Sequence, residues 1–310
     1  MQRSDGTWEI YDDYVLDFAL DRIHAGEAVA LVTLVAIEGS SPRPLGAQMA
    51  VSRSGRWVGY LSGGCIERAI VAEALEAIAA GVNRRVRYGR GSKYLDIELP
   101  CGSAVELVFD VGRHAKDIAS IDAQLQRRQP AMMTVPGCAA GAAETLRVYQ
   151  PRRRLLVIGV GPATVSLVHL GLSTGWEVKL YSPDRPTIKA LRSTGAEIVP
   201  LTGVNSEPAL QADMRTAIVF MFHDHRWESR LLPAALQTDA FYIGAMGSRR
   251  THAVRLDLLI RQGFAPDQLS KIRGPAGMFS GVKNAHDIAL SILAEIVHCE
   301  AKEKAGRTGS

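Results

Sequence analysis

The sequence is poor in the features that mark specialised classes of protein. Four cysteines in 310 residues are too few for a disulfide scaffold, and aromatic residues make up only 6%. Neither sign of charge dominates, because 36 basic residues face 32 acidic ones and leave a net charge of +4. That balance gives no electrostatic reason to expect nucleic acid as a partner.

Long apolar runs are missing as well. The longest, 28–37, is far shorter than the roughly 20 residues of a bilayer-spanning helix, so we expect no membrane partner. The polar first ten residues show no signal peptide. Apolar residues nevertheless make up 47% of the chain, which excludes wholesale disorder. These features predict a cytoplasmic protein with reduced thiols and, from its length, about two domains.

Periodicity predicts a different architecture in each half. In 1–150, a helix over 11–24, a buried strand over 28–37, a hairpin around 53–56, an alanine-rich helix over 65–80 and later strands indicate a mixed α+β domain with a linker. From 151 to 310, short apolar strands alternate with helices. This pattern predicts a Rossmann-like, doubly wound parallel sheet, ending in a helix capped by Asn284 and a frayed tail after Cys299.

A glycine-rich turn lies between the first strand and the first helix of the second half. Gly159 and Gly161 would let the backbone approach a pyrophosphate at the helix N-terminus. The fingerprint is incomplete: Pro162 removes an amide donor, and Ser182 stands where an acidic residue would bind a ribose. Dinucleotide binding and mere close packing of helix and strand both remain open, and NAD(P) is disfavoured.

Two further strands of this half run into polar segments, where ligands of open α/β sheets bind. The first segment suggests the polar edge of a cleft, since its histidine spacing fits no standard zinc pattern and we predict no metal site. The second suggests an anion cradle or, alternatively, a solvated helix start. The candidate residues are His223, Asp224 and His225 in the first segment, and Gly244, Gly247, Ser248 and Arg249 in the second.

The first half contributes three candidate loops. Cys65 follows two glycines on the predicted first turn of a helix, where a thiol has a lowered pKa and suits soft-metal chemistry. Cys101 adjoins a glycine in a loop before a strand, and both cysteines are candidates against the alternative that each is a small buried residue. A proline-stiffened loop with an arginine could bind a phosphate or be an ordinary connection. The further candidates are Ser40, Ser41, Arg43 and Gly46 in the first loop, Gly63, Gly64 and Glu67 in the second, and Gly102 in the third. Cys138 and Cys299 lack such surroundings.

Taken together, these segments resemble the xanthine dehydrogenase accessory protein family, XdhC/CoxI. The resemblance rests on the following segments: 39–43 with Gly46-Ala47, 63–67 and 100–102 in the first half, and 223–225, 242–250, 274–277 and 288–296 in the second. The sequence departs from the family pattern at Ser103, Pro162, Ser182 and Met278-Phe279. These departures weaken the case for dinucleotide binding more than the family assignment.

The resemblance implies a chaperone rather than a turnover enzyme. Such proteins bind the molybdenum cofactor, protect it, assist its sulfuration with a cysteine desulfurase and insert it into an apo molybdenum hydroxylase of the xanthine dehydrogenase or aldehyde oxidoreductase type. The cargo would be molybdopterin, with or without a cytosine nucleotide, held in a cleft between the domains. A homodimer is left open. The alternatives are an NAD(P)-dependent oxidoreductase and a scaffold that binds the target enzyme without the cofactor.

Overall fold

The computed structural model describes residues 14–64, 66–92, 94, 102–138, 144–203, 208–222 and 225–308, with side chains from 226 to 303 in the last range. The chain divides into two units, Met1–Pro151 and Arg152–Ser310. Each unit has its own buried apolar clusters. Among these described residues, none of the helices combines the length and the apolarity that a membrane crossing requires.

Unit 1 is built on an antiparallel five-stranded sheet of order β3-β2-β1-β5-β4, and a separate hairpin joins β6 to β7. The elements are α1 (Leu16–His24), β1 (Val29–Glu38), β2 (Gln48–Ser52), β3 (Trp57–Gly59), α2 (Glu67–Ala80), β4 (Arg84–Gly89), β5 (Ala104–Asp110), α3 (Ala115–Gln126), β6 (Ala131–Val135) and β7 (Thr145–Tyr149).

The continuous apolar sequence of β1 follows from burial on both faces. Ala30 and Val32 pack into the cluster that contains α2, whereas Val29 and Leu31 pack into the cluster that contains α1 and α3. Because successive side chains of a strand point to opposite faces, a strand covered on both sides has no polar positions to alternate. The predicted strand is thus confirmed.

Some elements of unit 1 differ from the prediction. The sequence indicated little over 116–150, yet α3, β6 and β7 lie there. In β6, Ala131, Met133 and Val135 are buried while the residues between them are exposed, a short alternation that is easily overlooked. Helix α2 begins at Glu67, two residues later than predicted, so the first turn of that helix does not include position 65.

Unit 2 contains a parallel six-stranded sheet of order β10-β9-β8-β11-β12-β13, which confirms the predicted doubly wound fold. The elements are β8 (Arg154–Gly159), α4 (Pro162–Ser173), β9 (Glu177–Ser182), α5 (Arg185–Leu191), β10 (Glu197–Pro200), β11 (Thr216–Met221), α6 (His225–Leu236), β12 (Tyr242–Ala245), α7 (Arg249–Arg261), α8 (Pro266–Leu269), β13 (Ile272–Arg273) and α9 (Ala285–Thr308).

Helices cover both faces of this sheet. Leu155 and Val157 of β8 pack with α4 and α9, and Leu156 and Ile158 pack with α6 and α7. The helix after Asn284 is confirmed, with the Asn284 side chain accepting the His286 amide. The predicted frayed tail is wrong, because α9 continues to Thr308.

Candidate functional site

One edge of the five-stranded sheet in unit 1 gathers the candidate loops of the first half. Strands β1 and β3 end at this edge, and β2 and β5 begin there, as the pairings of Glu38 with Ala104 and of Met49 with Gly59 show. The loops that follow β1 and β3 and the loop that precedes β5 therefore emerge side by side. Glu38 and Ala104, which are far apart in the sequence, are neighbours because the strands are antiparallel.

Contacts between these loops confirm that they adjoin. A Cβ atom on Gly39 would lie 3.2 Å from the Cβ of Ser103, so the first loop touches the one before β5. Arg43 donates from Nη1 to the Tyr60 hydroxyl at 2.9 Å, and its guanidinium lies 4.2 Å from the centre of that ring. Ser41 accepts the Arg43 amide through its hydroxyl. Ser40 is exposed.

Glu67 organises the loop between β3 and α2. One carboxylate oxygen accepts the amides of Leu61 and Ser62, and the other accepts the amide of Gly64 and the Ser62 hydroxyl, all at 2.7–3.0 Å. Burial alone would raise the pKa of Glu67, but these hydrogen bonds outweigh burial and lower it below its ordinary value. A carboxylate has about four acceptor positions, and here the loop uses four. We therefore assign Glu67 to folding the loop, contrary to the expectation that it contacts a ligand.

The glycines of the loop have the backbone conformation that favours glycine. Gly63 and Gly64 have φ of 80° and 113°, and added Cβ atoms would meet none of the described residues within 4 Å. Their role is therefore conformational. Gly102 likewise has a φ of 64° and open space beside it.

The cysteines divide into two groups. Cys65 and Cys101 lie outside the described residues, although their neighbours Gly64 and Gly102 belong to the loops of this edge. Burial raises the pKa of the Cys138 and Cys299 thiols, so both are protonated near neutral pH and are poor nucleophiles.

In unit 2, two contacts occupy part of the turn that follows β8. The Gly161 amide donates to the Thr187 hydroxyl at 2.9 Å, and a Cβ on Gly159 would lie 2.4 Å from the Cβ of Met221. Asp184, the acidic residue nearest to the end of β9, accepts the Thr187 amide and so caps α5. The contacts favour the packing interpretation of this turn over dinucleotide binding.

A cavity of about 670 Å³ opens instead beyond the carboxyl ends of β11 and β12. A volume of this order suits a small-molecule ligand. It is lined by Phe222, the start of α7 (Gly247, Ser248, Arg249 and Thr251), the 275–282 segment, and Ile288 and Ser291 of α9. Gly247, Ser248 and Arg249, the residues of the predicted anion cradle, therefore line this cavity. Gly244 does not line the cavity: a Cβ there would lie 2.5 Å from the ring of Tyr242.

Buried polar contacts hold the walls of this cavity. Arg255 and Glu228, each 2% exposed, form a bidentate ion pair with two bonds of 2.9 Å, and Arg255 also donates to the Met246 carbonyl oxygen. Across the cavity, the Gly277 amide donates to Glu295. These hydrogen bonds fix the backbone of the turn after β12 at Met246 and the backbone of the 275–282 segment at Gly277. Gly247, with a φ of 141°, has no side chain to cover the backbone of the turn.

The cavity includes residues that the sequence reasoning did not propose. Met278 and Phe279 are 49% and 53% exposed on its wall, an apolar surface beside the polar start of α7. The only signal in the sequence was their departure from the family pattern. Of the 223–225 segment, His223 and Asp224 lie outside the described residues, and for His225 only the backbone, at the start of α6, is described. Within the described part of the chain, no three His, Cys, Asp or Glu residues form a metal-binding group.

The fold and the sites define a class: a two-unit α/β protein whose Rossmann-type unit has an open cavity beyond the carboxyl ends of β11 and β12. Residues 155–296 match the model of the XdhC Rossmann domain, and residues 22–89 match that of the XdhC and CoxI family. The chain belongs to the XdhC and CoxI family, which confirms the resemblance seen in the sequence.

Similar proteins extend over nearly the whole chain. The molybdenum cofactor insertion chaperone PaoD of Escherichia coli (strain K12) is 35% identical over 92% of this chain and 88% of its own length. A Bacillus subtilis (strain 168) protein described as a probable xanthine dehydrogenase subunit is 24% identical over 87% of this chain and 93% of its own length. A crystal structure described as a xanthine dehydrogenase from Bacillus halodurans shares the fold, with a TM-score of 0.75, 18% identity and coverage of 93% of this chain and 96% of that one.

Proposed function

We propose that this protein is a molybdenum-cofactor insertion chaperone. It binds the cofactor as cargo and delivers it to an apo molybdenum hydroxylase of the xanthine dehydrogenase or aldehyde oxidoreductase type. The observation that carries the proposal is the 35% identity to a molybdenum cofactor insertion chaperone along 92% of the chain. Identity at that level, spread across both units, is expected of a shared function rather than of a shared fold alone.

The chemistry of the two sites fits such a cargo. In the cavity, Phe222, Met278 and Phe279 offer an apolar wall for a flat aromatic ring of the cargo, and the start of α7 with Arg249 offers amides and a positive charge for an anionic group. In unit 1, open glycine turns flank Cys65 and Cys101. Thiolates suit a soft metal centre, and these two cysteines are our candidates for contact with molybdenum or for carrying sulfur.

Some parts of the proposal go beyond what the similarity to PaoD supports. A cysteine desulfurase as sulfur donor and the cytosine dinucleotide form of the cofactor belong to the proposal, as do the individual binding residues. The homodimer and the cytoplasmic location stay predictions.

Anaerobic co-purification with the cofactor tests the function directly. Protein produced in a host that makes the cofactor is purified without oxygen, and molybdenum and pterin are measured per mole of chain. We expect both to co-purify in nearly equal amounts. Recovery of the target apoenzyme without bound pterin would favour a scaffold over a cofactor chaperone.

The double variant Cys65→Ala, Cys101→Ala tests the thiols, with Cys138→Ala as the matched control. We expect the double variant to lose most of its molybdenum and the control to keep it. Equal retention by wild type and double variant would remove the cysteines from the mechanism.

A thermal-unfolding comparison with NAD, NADP and molybdopterin tests the alternative of an oxidoreductase. A ligand at about a hundredfold its dissociation constant stabilises a protein by about 2.7 kcal/mol, which a melting curve resolves. We expect this stabilisation with molybdopterin alone, because the Gly161 amide is already bonded to Thr187.

A further inference from the structure

Strand β7 exposes two apolar side chains and half-buries an arginine. Leu146 and Val148 are 59% and 40% exposed, whereas Arg147 lies between them on the half-buried face that it shares with buried Tyr149. Side chains two residues apart lie on the same face of a strand, so the arginine occupies a position where a core residue is expected. Burying part of a guanidinium costs free energy, and a charged side chain in such a position calls for a compensating partner.

The protein supplies little compensation for this charge. Arg147 Nη1 donates to the backbone oxygen of Val148 at 2.7 Å, and the guanidinium lies 4.9 Å from the centre of the Tyr149 ring. Its Nε is shielded from solvent and meets no acceptor. In the described parts of the chain, the ion pairs do not include Arg147. A buried donor without an acceptor is uncommon in native proteins and needs an explanation.

The surroundings of Arg147 connect it to the loop after β1. A Cβ on Gly46 would lie 3.1 Å from Arg147 Cδ and 3.3 Å from Nη1, so the missing side chain of Gly46 makes room for the guanidinium. Burial lowers the pKa of Arg147, and the positive charge of Arg43 in the same loop lowers it further. An anion bound beside Gly46 would interact favourably with both positive charges.

We propose that Arg147 and Arg43 form a binding site for a phosphate-class oxyanion beside Gly46. Arginine suits this ligand because its planar donors match the oxygens of phosphate. On the proposed function, the ligand is the phosphate of the pterin cargo, and the site holds that end of the cofactor at the sheet edge where the candidate loops meet. This identification of the source rests on the proposed function, but the oxyanion site itself does not.

Titration with inorganic phosphate tests the site on the full-length protein without any cofactor. Binding is followed by calorimetry, with sodium chloride added to hold ionic strength constant because surface charges are screened by salt. The variants are Arg147→Met and Arg43→Met, and the control is Arg56→Met, whose arginine is exposed in the β2–β3 hairpin. We expect saturable binding by wild type, about tenfold weaker binding by each test variant, and no change in the control. Absence of saturable binding, or wild-type affinity in Arg147→Met, overturns the proposal.

A second variant covers the case in which Arg147→Met does not fold. Arg147→Lys keeps the charge but loses the planar arrangement of donors, so we expect an affinity between those of wild type and Arg147→Met. Wild-type phosphate affinity in the lysine variant would overturn the role of the guanidinium.

Molybdopterin retention by the same variants identifies the source of the phosphate. Parallel loss of phosphate affinity and molybdopterin in Arg147→Met supports the pterin phosphate as ligand. Retained molybdopterin with lost phosphate affinity overturns that source and assigns the site to free phosphate. If wild type retains no molybdopterin, the proposed function fails, while the phosphate titration still decides whether the site exists.

Discussion

Two glycine turns of the Rossmann-type unit have the same place in the topology and different surroundings. Both join the end of a parallel strand to a helix: Gly159–Gly161 at the end of β8 and Gly244–Ser248 at the end of β12. At the first, Gly159 packs against Met221 and the Gly161 amide is bonded to Thr187, whereas the second borders a cavity of about 670 Å³. Similar local sequences therefore serve packing in one case and an accessible site in the other. What distinguishes them is the neighbour that each turn meets.

The largest loss of stability should come from breaking the buried ion pair of Glu228 and Arg255, which holds the turn after β12. Glu228→Gln leaves the Arg255 guanidinium buried beside a neutral amide, which costs about 3–5 kcal/mol for a broken buried ion pair. Urea unfolding at neutral pH measures the loss. The double variant Glu228→Gln, Arg255→Met removes the orphaned charge and should recover part of it. A single variant as stable as wild type would show that the pair does not hold the turn.

Gly159→Ala tests whether the first turn is closed by packing. The new Cβ would lie 2.4 Å from Met221 Cβ and 2.8 Å from the Met221 backbone, so we expect a destabilisation of about 2–3 kcal/mol. Gly112→Ala is the control, because Gly112 has an ordinary φ and an added Cβ would lie at an ordinary contact distance of 3.9 Å from the Asp110 side chain. Denaturant midpoints of the two variants should differ clearly. If they coincide, this turn is not tightly packed.

Glu67→Gln extends the comparison to unit 1, where the Glu67 carboxylate holds the glycine loop between β3 and α2 together. The amide nitrogen of glutamine would face a donor, either the Gly64 amide or the pair at Leu61 and Ser62, so we expect a loss of about 2 kcal/mol at neutral pH.

The effect depends on pH with a definite sign. Because the folded-state pKa of Glu67 is lowered from its ordinary 4.5, its contribution is fully present above that value and is lost as the pH falls through the lower folded pKa. The stability difference between wild type and Glu67→Gln should therefore shrink in acid, as measured by urea unfolding between pH 7 and pH 3. A difference independent of pH would contradict this assignment.

The smallest losses of stability are expected at the two residues that cap the helices near these turns, and cofactor retention should distinguish the two residues. Ser248 accepts the Thr251 amide and Asp184 accepts the Thr187 amide, so replacing either by alanine should cost about 1 kcal/mol of stability. Ser248→Ala should also reduce cofactor retention, since Ser248 lines the cavity, whereas Asp184→Ala should not. Measured pterin content of the two purified variants makes the comparison. Equal loss in both would remove the distinction between an open and a closed turn.

Much of the fold was accessible from the sequence because strong periodic patterns report burial directly. The run that became β1 and the strand–helix alternation of unit 2 predicted the correct element types and fold class. Over 116–150 the prediction failed, because one-sided strands such as β6 carry a weak alternation. The end of α9 was also wrong: charged residues after Cys299 suggested fraying, although such residues are good helix formers.

The candidate site was less accessible, and the reason lies in long-range contacts. Sequence motifs located Gly247, Ser248 and Arg249, but they could not show that Gly244 packs on Tyr242 or that Glu67 is saturated by its own loop. Arg147 carried no motif at all, and its interest arises only because it lies beside Gly46, about 100 residues earlier in the chain.

By itself, the amino-acid sequence determined the family, the fold class of each half, and the glycines at which the backbone can turn, since these depend on residue type and local periodicity. Only the tertiary structure decided which turns are open and which are filled. A glycine permits close approach equally well for a ligand or for a side chain, and which of them occupies the space depends on residues distant in sequence.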